Sequence, residues 1–159
     1  MTNPKLAAAA SPEALQFRGK LMVGFLVAQY VIGMILDFFI GLPTVHPGTA
    51  DGPYLARVWE GFTWALTGGG GAALASHVGI ATLLILGAGA SLYFSIMARH
   101  KTWIIASSVG AFGVLIAWLN GIEFINTAQD KHSFAMAIAF MIALVSYCAG
   151  LYYAKKSSN

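Results

Sequence analysis

The chain has 159 residues, of which 58% are hydrophobic and only 9% are charged. Soluble domains carry roughly 25% charged residues, and a soluble core of this length could not hide so much apolar surface. Composition therefore excludes an ordinary soluble domain and indicates a protein that is solvated by lipid. The net charge of +3 does not predict a nucleic-acid partner, because the cations flank the apolar runs.

Four long apolar runs occupy about 21–42, 77–98, 103–125 and 133–154. A helix of roughly 20 apolar residues crosses about 30 Å of hydrocarbon, and helices satisfy their own backbone groups in lipid. Short turns make successive spans antiparallel. We therefore predict an all-α fold, a transmembrane four-helix up-down-up-down bundle that forms a single domain over residues 1–159.

The first run follows a small, Ala-rich segment, residues 1–16, which we predict to be a surface tail. The run contains Asp37 near its end and stops at Pro43. After a loop rich in Pro and Gly, the stretch about 54–66 places apolar residues at helical spacing and includes two tryptophans. This pattern predicts a short amphipathic helix in the outer membrane interface. The alternative is an ordinary loop helix that covers the end of the bundle without contacting lipid.

The sequence TGGGGAALAS before the second run is typical of a flexible joint, so we predict that the second span begins at His77. The third span carries Asn120, Glu123 and Asn126 near its end, and the fourth begins at His132. The single cysteine, Cys148, cannot form a disulfide within the chain and is predicted to be a small buried residue of the last span.

The cations are distributed unevenly about the spans. Seven lie on the side of the chain termini and two on the other side; the seven are Lys5, Arg18, Lys20, Arg99, Lys101, Lys155 and Lys156, and the two are Arg57 and Lys131. Basic residues are enriched in cytoplasmic segments. The pattern predicts a prokaryotic plasma-membrane protein with both termini in the cytoplasm.

Ionisable and amide side chains gather at the outer ends of the spans. They are Asp37, His77, Asn120, Glu123 and His132. Each can be interpreted as a polar residue at the point where a helix leaves the membrane. The two histidines, however, begin the second and fourth spans, which lie diagonally in a four-helix bundle. With neighbouring helices roughly 8–10 Å apart, that diagonal suits a flat cofactor whose iron takes one imidazole from each side.

This pattern favours haem b with His77 and His132 as cofactor-binding ligands. Three further polar residues are expected at the same depth: Asp37, Asn120 and Glu123. Their side chains could hydrogen-bond to the two histidines and so fix the orientation of the imidazole rings. Arg57 and Lys131 are the only cations on that side to meet haem propionates.

The chain resembles one half of a haem A synthase and, more loosely, the small membrane b-type cytochromes. The resemblance lies in a four-span bundle with one histidine at the start of span two and another at the start of span four. The resemblance covers about residues 75–155 and implies that His77 and His132 are the axial ligands. The stretch Leu74-Ala75-Ser76-His77-Val78 lacks that family's Glu-x-x-His-Arg, so its hydroxylating activity is not implied. The chain also resembles small four-span prokaryotic membrane proteins of no assigned activity, through Pro43 to Gly48 and Asn120 to Phe124.

Three functional hypotheses remain open. The first is a haem b-binding, cytochrome b-like electron-transfer protein that works with a quinol or another redox protein in the lipid bilayer. The second is a non-catalytic accessory or assembly subunit, in a homo-oligomer or larger membrane complex. The third is an outer-face metal site made of His77, His132 and a carboxylate, to which His46 could add a third imidazole. The alternative for His46 is a solvated loop histidine.

Overall fold

The computed structural model describes residues 8–49 and 51–156, and of Lys155 and Lys156 only the backbone. Five α-helices form within these residues: α1 Pro12–Ile35, α2 Tyr54–Leu66, α3 Gly71–Met97, α4 Lys101–Thr127 and α5 Asp130–Lys156. A π-helical turn, Leu36–Ile40, extends α1. The predicted all-α fold is confirmed. Lys5 and the side chains of Lys155 and Lys156, which belong to the predicted cation pattern, lie outside the described residues.

Helix α1 begins earlier than the composition of its N-terminal segment suggested. Ser11 caps it by accepting a hydrogen bond from the Ala14 N–H at 3.2 Å, and Pro12 takes the first helical position, where a missing N–H costs nothing. Leu15 is buried in the core. The prediction of a surface tail is therefore wrong for residues 12–16, while residues 1–7 lie outside the described residues.

Helix α3 also begins earlier, at Gly71 rather than at His77. The positive φ angles of Gly68 (93°) and Gly71 (87°) confine the chain reversal to the glycine run itself. The following Ala72 to Ser76 then joins the helix, because alanine and leucine are good helix formers. His77 consequently lies in the second turn of α3.

The four long helices pack as a closed square in which each contacts two neighbours. The neighbouring pairs are α1 with α3, α3 with α4, α4 with α5 and α5 with α1, and the α4–α5 interface is the most extensive. The core is built from Leu26 of α1, Leu84 of α3, Val114 of α4 and Ala143 of α5, among others. Helices α3 and α5 thus occupy one diagonal of the bundle.

Small residues bring α4 and α5 together. A Cβ at Gly113 would lie 2.7 Å from the Ala139 carbonyl oxygen, and one at Gly110 would lie 2.6 Å from the Tyr147 ring. The Ser146 hydroxyl donates to the Ala106 carbonyl across the same interface at 2.7 Å. Small residues and interhelical hydrogen bonds are the usual means of association in lipid, where apolar surface alone gives no driving force.

All four long helices are long and apolar enough to cross a membrane. Large apolar side chains point outward from each of them, including Val31, Leu86, Phe112 and Val145. Cys148 is exposed, so its predicted burial is wrong. The helical repeat turns Ala143, Tyr147 and Ala154 inward and leaves Cys148 on the lipid-facing side.

Helix α2 closes one end of the bundle by packing on α3 and α4. This end, with the loop 41–53 and the α4–α5 turn, is called the α2 end; the start of α1, the α3–α4 turn and the end of α5 form the terminal end. Gly61 and Ala65 of α2 are buried, whereas Leu55 and Trp59 are 77% and 67% exposed. Leu55 and Trp59 therefore point away from the bundle, as an interfacial helix requires, whereas Phe62 packs on the bundle against Trp118.

Candidate cofactor site at the α2 end

His77 packs against α1 rather than into open space. A Cβ at Gly33 would lie 3.1 Å from His77 Cε1 and 3.7 Å from its Nδ1, so the ring packs tightly against the glycine surface. The Gln29 main-chain carbonyl lies beside the ring. Nδ1 is buried without a hydrogen bond, whereas Nε2 is neither buried nor hydrogen-bonded within the part of the chain that the structure describes. The ring therefore leaves Nε2 available to a ligand.

His132, in the first turn of α5, is held by α4. Its Nδ1 lies 3.2 Å from Asn120 Oδ1. The Asn120 amide group donates to the Ile116 carbonyl at 2.9 Å, so Oδ1 is the acceptor and Nδ1 of His132 carries the proton. The neutral ring then presents an Nε2 lone pair. Within the described residues no hydrogen bond occupies that atom.

The two histidines lie near the same end of diagonal helices, but they face different neighbours, α1 for His77 and α4 for His132. Below them the diagonal is filled, because Leu84, Ala88 and Ala139 are buried at 4% exposure or less. A planar cofactor between the histidines would have to lie above this layer, at the α2 end. The donor atoms fit haem iron, and the packed layer limits where the ring could sit.

Glu123 binds helix α2. The Tyr54 hydroxyl donates a hydrogen bond to its carboxylate. This hydrogen bond raises the pKa of Tyr54 above the usual value, desolvation and the negative charge of Glu123 add to the increase, and nearby Arg57 opposes it. Arg57 itself is half-buried, with Nε lacking a partner. Glu123 thus has a structural role that the sequence analysis did not foresee.

The loop before α2 folds back onto the bundle. His46 is only 8% exposed and stacks on Trp64 with ring centroids 4.3 Å apart. Its Nδ1 lies 2.7 Å from the Pro47 carbonyl and therefore carries the proton. The expectation of a solvated loop histidine is wrong, because the flat ring fills the space above the Trp64 indole.

Asn126 lies beneath this loop in a niche made by two glycines. A Cβ at Gly48 would lie 2.7 Å from Asn126 Oδ1, and a Cβ at Gly61 would meet the same oxygen. Gly48 also has a φ of 98°, which excludes most other residues. The niche joins the loop, α2 and α4 at one point.

Asp37 and Lys131, also predicted for the site, are both exposed. Asp37 lies in the π-helical turn and Lys131 precedes His132 in the first turn of α5. Among the described residues no group of three His, Cys, Asp or Glu side chains is arranged to hold a metal ion. The hypothesis of a site that joins His46 to His77 and His132 gains no support from the geometry.

Sequence reasoning missed the contacts that Tyr54, Trp64 and Gly33 make with the site residues. The position of Tyr54 directly after Pro53, at the start of α2, was a signal that its side chain could reach back to a neighbouring helix. Trp64 and Gly33 gave no such signal. The stacking of His46 on Trp64 and the approach of His77 to Gly33 depend on how separate segments pack together.

Four membrane-spanning helices, closed at one end by a short helix, define a multi-pass membrane protein with a polar cluster at the α2 end. Comparisons with protein-family models, with curated proteins and with solved structures found no match. The geometry of the site therefore carries the functional conclusion.

Proposed function

We propose that the protein binds haem b in the membrane and transfers electrons, with His77 and His132 as the axial ligands. One observation carries the proposal: both imidazoles turn Nδ1 toward a neighbouring helix and keep Nε2 free of hydrogen bonds within the described residues. Metal-ligating histidines commonly place the second ring nitrogen in a hydrogen bond, which fixes the orientation of the ring. His132 does so with Asn120, whereas Nδ1 of His77 is buried against α1 without a hydrogen bond.

The chain's own residues would bind and orient the cofactor. Asn120 holds the His132 ring in the tautomer that offers Nε2 to iron. The Gly33 surface allows His77 to lie close to α1. Arg57 and Lys131 are the cations at this end for haem propionates, and a quinol or another redox protein is the partner class. Bound haem would supply reversible one-electron oxidation and reduction of its iron.

An optical spectrum tests this function. Protein produced with ample haem should be coloured, and the dithionite-reduced form should show a sharp low-spin α band. His77→Ala and His132→Ala should each abolish or strongly shift that band. His100→Ala, a matched change at the terminal end, should leave it unchanged.

A colourless wild-type protein, or a band that survives both ligand substitutions, would overturn the haem assignment. Haem retained by His100→Ala but lost from both other variants would support it. Metal analysis of the same samples would test the alternative of an outer-face metal ion at His46, His77 and His132.

A second candidate is a non-catalytic accessory or assembly subunit of a larger membrane complex or homo-oligomer. The contacts of Glu123 with Tyr54 and of Asn126 with Gly48 and Gly61 favour it. The Tyr54–Glu123 hydrogen bond fastens α2 to the bundle, and Asn126 packs beneath Gly48 and Gly61 without a hydrogen bond at Oδ1. Neither contact needs a cofactor.

We further propose that the α2 end faces outward from a prokaryotic plasma membrane and that both chain termini are cytoplasmic. The support is the cation bias, because Arg18, Lys20, Arg99 and Lys101 lie toward the terminal end. Cytoplasmic flanks of spans carry the excess of Lys and Arg.

A further inference from the structure

An open groove of about 550 Å³ runs between α4 and α5 at the terminal end of the bundle. We call it the α4–α5 groove. Its volume lies within the roughly 300–1,000 Å³ typical of ligand sites. The lining segment of α4 extends from Lys101 to Ala106, which is about 8 Å of helix. The groove therefore leads from the end of a span down into the lipid-facing surface.

Small residues create the groove and large ones flank it. The floor includes Ala106 and Gly150, both buried. The sides include Ile105 and Tyr153, which are 66% and 57% exposed. A slot with a recessed floor and apolar sides is suited to a hydrocarbon chain.

The hydroxyl at the inner end of the groove is already used. Ser146 donates to the Ala106 carbonyl at 2.7 Å, so it has no proton to offer a ligand. A polar ligand would find few partners along the length of the groove. This chemistry favours an alkyl chain over a sugar or a nucleotide.

The mouth of the groove is cationic. Lys101 and Thr102 line it, and Lys101 is exposed. Arg99, also exposed, precedes them in the α3–α4 turn with a φ of 53°. Lys101 starts α4, whose N-terminus carries no side-chain cap. Positive charge at the level of lipid headgroups is complementary to an anionic phosphate.

We propose that the α4–α5 groove binds an anionic phospholipid, with one acyl chain along the Ala106–Gly150 floor and the phosphate at Lys101. A phosphatidylglycerol molecule has the required chemistry, whereas phosphatidylcholine carries a compensating cation. Binding here is independent of any cofactor at the opposite end of the bundle.

A second groove, of about 520 Å³, provides the internal comparison. It lies between α1 and α5 and is lined by Gln16, Lys20 and Cys148, among others. Lys20 stands two turns inside α1, and polar side chains line the groove. Like the α4–α5 groove, this second groove contains a lysine. Unlike it, the second groove has no cation at the start of a helix and no floor of small residues.

Native mass spectrometry of the full-length protein in detergent tests the proposal by counting bound phosphatidylglycerol and phosphatidylcholine. Wild-type protein should retain phosphatidylglycerol preferentially. Lys101→Gln should weaken its binding about fivefold, since one basic residue near a lipid surface contributes about that factor. Lys20→Gln removes the same charge at the same end and should have little effect.

Filling the groove without changing charge tests the acyl chain. Ala149→Leu places a larger side chain in the lining and should abolish the preference for phosphatidylglycerol. Ala137→Leu makes the same change at an exposed position of α5 and should not. Circular dichroism of each variant in detergent identifies any that fails to fold; for a misfolded Ala149→Leu, Ala149→Val replaces it.

Equal losses from Lys101→Gln and Lys20→Gln would overturn the proposal in favour of diffuse electrostatic attraction. Equal binding of the two lipids by the wild-type protein would also overturn it and indicate that any bilayer lipid fills the groove.

Discussion

At the scale of single residues, polar side chains at the α2 end are held by specific partners. Asn120 hydrogen-bonds to His132, and Tyr54 hydrogen-bonds to Glu123. The imidazole of His46 stacks on the Trp64 indole. Each pairing joins two different elements of the fold. The polar cluster is therefore not only a set of residues at helix mouths, because three of its members determine how neighbouring elements are fastened.

The Tyr54–Glu123 hydrogen bond predicts a pH dependence. It holds the pKa of Tyr54 above its usual value, which is about 10. The neutral phenol is thus the form that the folded protein stabilises. Its contribution to the docking of α2 is complete below about pH 10 and is lost as the pH rises through the higher pKa of the folded state.

Ultraviolet titration of tyrosine ionisation checks this prediction. The difference between the wild-type protein and Tyr54→Phe isolates Tyr54, and its midpoint should exceed 10. The same difference measured in a Glu123→Gln background should move back toward the usual value. A wild-type midpoint at or below the usual value would show that the hydrogen bond does not form.

At the scale of elements, close helix approach is set by glycines at particular contacts. Gly113 and Gly110 let α5 pack against α4, Gly33 receives the His77 ring, and Gly61 makes room for Asn126. Other glycines of the spans, such as Gly89, face open space. Abundance of glycine in a span therefore does not by itself identify its packing face.

We expect Gly113→Ala to destabilise the bundle by about 1–3 kcal/mol, the usual cost of overpacking. The new methyl group would meet the α5 backbone at the Ala139 carbonyl and the Ala143 nitrogen, 2.7 and 3.0 Å away. Backbone atoms cannot rotate aside as a side chain can, so the helices must separate. Thermal unfolding in detergent, followed by circular dichroism, measures the change.

Gly89→Ala is the matched control, because a Cβ there has nothing within 4 Å. It should be neutral or stabilising by up to about 1 kcal/mol, the helix-propensity gain of alanine over glycine. Equal destabilisation by the two substitutions would contradict the assignment of Gly113 to the interface.

At the scale of the whole molecule, the bundle has two chemically different ends. The α2 end carries the buried amide and imidazole groups under a folded-back loop, and the terminal end carries open grooves with lysines in their lining. The proposed haem and the proposed phospholipid would therefore occupy opposite membrane surfaces, and each can be tested without disturbing the other.

The proposed orientation predicts the outcome of two labelling experiments in cells. A green fluorescent protein fused after Asn159 should fluoresce, since it would fold in the cytoplasm. In a Cys148→Ser background, Asp51→Cys should react with a membrane-impermeant maleimide added from outside. A dark fusion together with an unreactive Asp51→Cys would reverse the orientation.

The sequence alone determined the number of spans, the bounds of helix α2 at residues 54–66 and the gathering of polar residues toward one end. These features are readable because hydrophobicity and helical periodicity are local properties of the chain. Lipid cannot hydrogen-bond to the backbone, so each apolar run must satisfy its own N–H and C=O groups. A helix does this within a single run.

Only the tertiary structure decided which neighbour each polar side chain meets. It placed His77 against Gly33 in the second turn of α3, buried His46 on Trp64, and turned Cys148 outward while Tyr147 faces the core. These outcomes depend on the rotation of each helix about its axis and on a loop that folds back. Both are set by contacts between distant segments, for which a single sequence carries no local signal.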